Sequence, residues 1–181
     1  MRNDVKKVLI SSEQIAERTK ELAAQIDKDY AGKTPILVGL LKGSVPFMAE
    51  LLKNVSLFCQ TEYMVVSSYQ GTQSTGEIKI IKDIDVSIKD RDIILVEDIV
   101  DTGITLNTIV KLLKHRGARS VEIVCLLNKE ARRVVPVNAK YIGFDIPDEF
   151  VIGFGLDYNE MYRNLPYVGV LKEEVYQRRG A

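Results

Sequence analysis

RDIILVED (residues 91–98) and SVEIVCLLNK (120–129) are apolar runs of strand length, and TLNTIVKLLKHRG (105–117) lies between them. In that middle stretch Leu106, Ile109, Val110 and Leu113 share one helical face, and Gly117 closes the helix. Continuous apolar strands around an amphipathic helix predict a parallel βαβ unit, because such strands are covered on both faces. Neighbouring segments fit this frame. SSEQIAERTKELAAQIDKDYAGK (11–33) predicts a helix with a Ser11/Gln14 capping box, Ile15, Leu22 and Ile26 on one face, and Gly32 as its stop. TPILVGLLKGS (34–44) predicts a buried strand ending in a tight loop, and VPFMAELLKN (45–54) a short helix with Pro46 in its first turn. LFCQTEYMVVSSY (57–69), AKYIGFDIP (139–147), EFVIGFG (149–155) and YVGVL (167–171) are further strand candidates. No repeat, low-complexity tract or linker interrupts the 181 residues, which suit one domain. The fold class expected is α/β, with a mostly parallel central sheet flanked by helices. Ligands of such sheets sit beyond the carboxyl ends of the strands.

Composition removes several classes of function. The chain has 25 basic and 25 acidic residues, so no net charge favours nucleic acid or a membrane surface. One histidine, His115, supports neither a His-rich metal site nor a Ser/His/Asp triad. Cys59 and Cys125 each lie in an apolar run without a CxxC partner and read as core residues of a reducing compartment. No apolar run approaches the ~18 residues of a membrane helix, and MRNDVKKVLI carries no secretory h-region. The expectation is a soluble, cytoplasmic protein.

At the carboxyl end of the first strand the sequence turns acidic: VEDIVDTGIT (96–105). Three carboxylates within five residues repel one another, so the cluster serves a cation, a polyhydroxyl ligand or a solvated loop. Gly103 allows close backbone approach, Thr102 and Thr105 add hydroxyls, and the following helix start favours an anion. Glu97 and Asp98, one step earlier, suit sugar hydroxyls or a hard cation. Phosphate on one side and a diol on the other describe a ribose 5-phosphate. The plain alternative is an acidic helix cap, common at such positions. Asp83 and Asp85 in KDIDVS lack the apolar strand a phosphatase motif needs and read as a turn; GFGLDY has no third glycine, and no P-loop is present.

VEDIVDTGITL closely resembles the phosphoribosyl-diphosphate motif of type I phosphoribosyltransferases. LLKGS, LLNK and EFVIGFGLDYNEMYRN extend the similarity over most of the chain, toward the hypoxanthine (hypoxanthine–guanine) branch. That resemblance implies one phosphoribosyltransferase domain over 1–181, with a small hood and a mobile lid loop near 68–79. It implies purine salvage: Mg²⁺-dependent transfer of the 5-phosphoribosyl group from phosphoribosyl diphosphate to N9 of hypoxanthine or guanine, giving IMP or GMP and diphosphate.

By the same resemblance Glu97 and Asp98 engage the ribose hydroxyls, and Asp101, Thr102, Gly103, Ile104 and Thr105 wrap the 5′-phosphate. Asp101 is the catalytic proton acceptor facing purine N7. Lys42, Gly43 and Arg163 hold the diphosphate, with the Ser44 amide beside them, and Ser68 and Tyr69 close over it. Lys129, Phe150, Val151 and Asp157 form the purine site, Lys129 donating to the 6-oxo group and Phe150 stacking on the base. Glu97, Asp98 and Asp157 are the metal-binding candidates. The implied partners are small substrates, with no nucleic acid and no membrane, in a homodimer or homotetramer. Two alternatives stand: an RNA-binding nucleotide sensor on the same fold, which should show a basic face, and a transferase preferring xanthine or adenine.

Overall fold

The computed structural model describes residues 1–68 and 78–177. Along the chain run β1 (Val5–Ile10), α1 (Ser12–Asp29), β2 (Ile36–Leu40), α2 (Val45–Asn54), β3 (Gln60–Ser68), β4 (Ile78–Lys82) and β5 (Asp92–Val100). They are followed by α3 (Ile104–His115), β6 (Ser120–Asn128), β7 (Tyr141–Asp145), β8 (Val151–Ile152), β9 (Val168–Leu171) and the short α4 (Glu173–Gln177). Six strands form the central sheet in the order β4-β3-β2-β5-β6-β7, parallel except for β4, which runs antiparallel to β3 at one edge. A second, antiparallel sheet, β1-β9-β8, makes the hood.

Alternation along the strands builds two cores. Leu37, Ile94, Val96, Val124 and Leu126 face α1 and α2, packing with Ile15, Leu22, Ile26, Phe47 and Leu51. Ile36, Val38, Ile93, Leu95, Ile123 and Cys125 face the other way, onto Leu106, Ile109 and Leu113 of α3. The Ser11/Gln14 capping box is present in both directions, with Ser11 N–H donating to Gln14 Oε1 at 2.8 Å and Gln14 N–H to Ser11 Oγ at 3.2 Å. Cys125 is buried in β6, whereas Cys59 is only half-buried and stands one residue before β3. Among the described residues no helix is long and apolar enough to cross a membrane.

The structure departs from the sequence reading in three places. β5 runs on past the apolar stretch 91–98: Glu97 stays opposite Cys125, Ile99 opposite Leu127 and Val100 opposite Asn128. The reason is that β6 is equally long, so the parallel ladder carries the acidic pair on with it. Second, β1 and β4 were not expected, because VKKVLI and IKIIK are short and each carries two lysines; β1 finds its register by pairing with distant β9, and β4 by folding back on β3, the strand before it. Third, α4 follows β9 directly. Of the lid expected near 68–79, Ser68 ends β3 opposite Ile78 of β4, while Tyr69 and the side chain of Ser68 lie outside the described residues.

Asp92 fastens the start of β5 to that of β6. Its buried carboxylate accepts from Arg119 Nε at 2.9 Å and from Ser120 Oγ at 2.7 Å, and the Arg119 guanidinium holds it down at about 2. A lowered folded pKa stabilises the fold above the ordinary carboxylate range and is lost as pH falls through that depressed value. Asp92→Asn is therefore expected to cost about 1 kcal/mol near neutral pH, the exposed arginine limiting the gain, with the difference closing near about pH 2. Urea denaturation across that range checks it; a loss that persists at the acid end would place the effect in packing and not in charge.

Candidate active site

At the carboxyl edge of the sheet Gly43, Glu97, Asp98, Asp101, Thr102, Gly103 and Thr105 line one cleft of about 270 Å³. The loop after β2 and the turn after β5 thus meet, as neighbouring parallel strands require. The Leu41–Lys42 peptide is cis, and the following turn is tight, Ser44 N–H donating to the Leu40 carbonyl at 3.4 Å. That amide is thereby used inside the loop, against the expectation that it would face an anion. Gly43 is wedged between two chain segments. A Cβ there would run into the Asp98 carboxylate, and one on Gly155 would run into the Gly43 carbonyl.

Glu97 and Asp98 open partly to the cleft but are embedded in the sheet end. Desolvation, then repulsion by Asp98, pushes the Glu97 carboxyl well above its ordinary range. Asp98 is raised to about 6, again mainly by desolvation, although the Ile99 N–H donates to its Oδ1 at 2.8 Å and Arg163 opposes the shift. Two hard-oxygen ligands that the fold holds short of solvent suit a divalent cation and ribose hydroxyls. Among the described residues no three acidic, His or Cys side chains form a ready metal cage, so Asp157 does not join Glu97 and Asp98 in one cluster.

Asp101 does not cap α3. The N-cap is Gly103, in the left-handed conformation at φ 83°, and the Ile104 N–H of the first turn donates to Thr102 Oγ1 at 3.5 Å. Capping by Asp101 therefore does not explain the acidic turn, and the helix start behind it still favours an anion. Asp101 Oδ1 is buried without a hydrogen-bond partner, and Arg132 Nε stands 3.5 Å from it. Ile104 is half-buried at the first turn of the helix and does not line the cleft.

The turn 157–163 brings charge from the hood side. Arg163 donates to the Gly155 carbonyl at 2.7 Å and pairs with Asp157 at 2.8 Å and Glu160 at 3.4 Å. Lys42 reaches Glu160 at 2.6 Å, so both expected diphosphate cations contact one turn. Glu160, which carried no assignment in the sequence, is the carboxylate they share. Its N–H donates to Asp157 Oδ2 at 2.9 Å.

The expected purine residues gather beyond the ends of β5 and β6. Lys129, 6% exposed, donates from its backbone to the Val100 carbonyl at 2.9 Å and from Nζ to the Glu149 carbonyl at 2.8 Å. An ammonium has three donors, so others remain for a ligand. Phe150 is 43% exposed, and its ring meets Tyr158 edge-on at 5.7 Å and Tyr176 at 5.5 Å, tilted by 30°. Tyr176 belongs to α4, and nothing in the local sequence announced it. Leu171 N–H donates to the Phe150 carbonyl at 2.9 Å, so by the antiparallel alternation Val151 turns its own N–H and C=O away from β9. β8 is the sheet edge, and those groups face outward from it.

These features define an α/β protein that takes a sugar phosphate at the carboxyl edge of its sheet. The chain belongs to the phosphoribosyltransferase family: the family model described as "Phosphoribosyl transferase domain" matches residues 9–159. A hypoxanthine-guanine phosphoribosyltransferase of Streptococcus agalactiae is 56% identical over 179 residues, 98% of this chain and 99% of the relative. The crystal structure of a hypoxanthine phosphoribosyltransferase from Staphylococcus aureus superposes with a TM-score of 0.95 at 53% identity, covering 97% of this chain and 96% of that one. A variant of the Trypanosoma cruzi hypoxanthine phosphoribosyltransferase, solved with the product IMP, gives a TM-score of 0.93 at 37% identity, covering 98% and 97%.

The raised carboxyl of Asp98 has a measurable sign. A carboxyl raised in the fold contributes stability when protonated and loses it as pH rises through about 6. In metal-free buffer Asp98→Asn is expected to be more stable than the parent by about 2 kcal/mol near about pH 8, the gain vanishing by about pH 4. Urea melts of both proteins in chelator decide it. A destabilised variant at alkaline pH would show that Asp98 is held by a favourable partner and not by desolvation.

Proposed function

We propose that this chain catalyses purine salvage, transferring the 5-phosphoribosyl group of phosphoribosyl diphosphate to N9 of hypoxanthine or guanine and releasing IMP or GMP and diphosphate. The observation that carries the reading is that one cleft joins the desolvated Glu97–Asp98 pair to the Thr102–Thr105 turn at the start of α3. A ribose 5-phosphate has this complementarity: a diol for the carboxylates and a phosphate for the amides. The S. agalactiae relative, named for hypoxanthine and guanine, and the S. aureus one, named for hypoxanthine, support the choice of base.

In the reaction the C1–O bond to diphosphate breaks while purine N9 bonds to C1. The carboxylates of Glu97 and Asp98 face the cationic sugar and its hydroxyls. Thr102, Gly103, Ile104 and Thr105 hold the 5′-phosphate, so the sugar is fixed while C1 moves. Asp101 accepts the proton from purine N7 as N9 becomes bonded; its Oδ1 accepts no hydrogen bond, with Arg132 Nε standing 3.5 Å away. Lys42, Gly43 and Arg163 receive the diphosphate, for which Glu160 and Asp157 stand in when it is absent. Lys129 donates to the 6-oxo group, Phe150 stacks on the ring, and the outward Val151 backbone reads the base edge. A 6-amino group, itself a donor, would leave Lys129 facing another donor, and this selects against adenine.

The oxygen donor set fits Mg²⁺: Glu97 and Asp98 would hold it on the ribose side and Asp157 on the diphosphate side. Bound there, it offsets the charge of the leaving diphosphate. A cytoplasmic homodimer or homotetramer fits the reading, and exposed Phe58 and Val45 supply apolar surface for such an assembly.

Asp101→Asn keeps the shape and removes the base. Steady-state kinetics with hypoxanthine should show kcat lower by about 100-fold, with KM for phosphoribosyl diphosphate within about threefold of the parent. A parental kcat in the variant would remove Asp101 from proton transfer.

A further inference from the structure

Between Lys129 and β7 the segment EARRVVPV (130–137) presses against the back of the phosphate turn, and none of its residues was assigned a role from the sequence. Arg133 is its centre. Its Nε donates to the Asp101 carbonyl at 2.9 Å, Nη2 to the Val100 carbonyl at 3.3 Å and to Asn128 Oδ1 at 2.6 Å, and Nη1 to the Val137 carbonyl at 3.2 Å. Asn128 is itself fixed by donating to Asp145 Oδ1 at 2.7 Å. The next residues continue the clasp, the Val134 and Val135 amides both donating to the Thr102 carbonyl, at 2.9 and 3.1 Å. Gly103 lacks a Cβ on this side: one there would strike the Val135 carbonyl and crowd Arg133 Cδ.

Three successive carbonyls, of Val100, Asp101 and Thr102, are therefore turned toward this segment. In a trans peptide the N–H of the next residue points opposite to the carbonyl. The amides of Asp101, Thr102 and Gly103 are thus turned the other way, toward the cleft, and successive amides aimed at one concavity make an anion nest. Within this clasp a planar guanidinium fork is the group that reaches two adjacent carbonyls and an anchoring amide at once.

We infer that Arg133 is a positioning residue: through the Val100 and Asp101 carbonyls it orients the amides that receive the 5′-phosphate and sets the turn that carries Asp101. The inference rests on the proposed reading of the cleft as a phosphoribosyl site, and its test is built to separate the two. Arg133→Met and Arg133→Lys are compared with the parent by calorimetric binding of IMP and of inosine, which differ only in the 5′-phosphate. Hydrogen–deuterium exchange over residues 100–107 is followed in the same proteins, with α1 as the internal standard.

In Arg133→Met, IMP affinity should fall at least about tenfold while inosine affinity changes less than about twofold, as expected when only the phosphate contact is misplaced. Amides over 100–107 should exchange faster, with α1 unchanged. Arg133→Lys should lie between, since one ammonium cannot reproduce the fork. Equal losses for IMP and inosine, or parental IMP affinity, would overturn the positioning role. Should Arg133→Met fail to fold, Arg133→Lys decides by the same ratio of affinities. Should the parent bind no IMP, the phosphoribosyl reading falls, and exchange alone decides the brace: faster exchange at 100–107 keeps it, and unchanged exchange removes it.

Discussion

Desolvation of two neighbouring carboxylates at the end of β5 is the constraint on which this site depends. A β6 partner of equal length keeps the ladder going through Glu97 to Val100, so the acidic pair is carried into the sheet end instead of into open solvent. Both carboxyls then sit above their ordinary range. The fold accepts that cost at one place, where a cation and a polyhydroxyl ligand recover it. Around this pair the packing leaves little freedom: Gly43 has to lack a side chain because Asp98 occupies the space where one would lie.

Around the pair, opposite charge is arranged on separate elements. Lys42 comes from the loop after β2, Arg163 from the turn after β8, and Lys129 from the end of β6. Each has a protein partner: Glu160, Asp157 with Glu160, and the Glu149 carbonyl. The exposed Lys42–Glu160 pair is weak in water and yields readily to a multivalent anion. Lys129 differs, because its ammonium is buried and held between the Glu149 carbonyl and the Asp148 carboxylate.

Much of this was legible in the chain itself, for identifiable reasons. The βαβ unit, the capping box of α1 and the placement of α2 follow from local periodicity and cap chemistry, which neighbours in sequence determine. The acidic turn was legible as a site because carboxylates, glycine and threonines stand in one short stretch. β1 was not legible, since it is a short strand with two lysines fixed by β9 far along the chain, and β4, equally short, takes its register from β3 alone. Arg133, Glu160 and Tyr176 were missed for the same reason. Their roles come from contacts with Asp101, Lys42 and Phe150, between 26 and 118 positions away, and the sequence offered only a basic pair after NKEA and an unremarked aromatic near the end. Asp101 shows the converse: helix capping was a fair reading of its position, and only the observed Gly103 cap excludes it.

The central claim is that the cleft transfers phosphoribosyl groups to 6-oxopurines. The most direct measurement incubates the purified protein with Mg²⁺, phosphoribosyl diphosphate and, in separate reactions, hypoxanthine, guanine, xanthine or adenine, and quantifies the separated nucleotides. The account predicts IMP and GMP, with little product from adenine. No nucleotide from any base, or adenine used as readily as hypoxanthine, would contradict it.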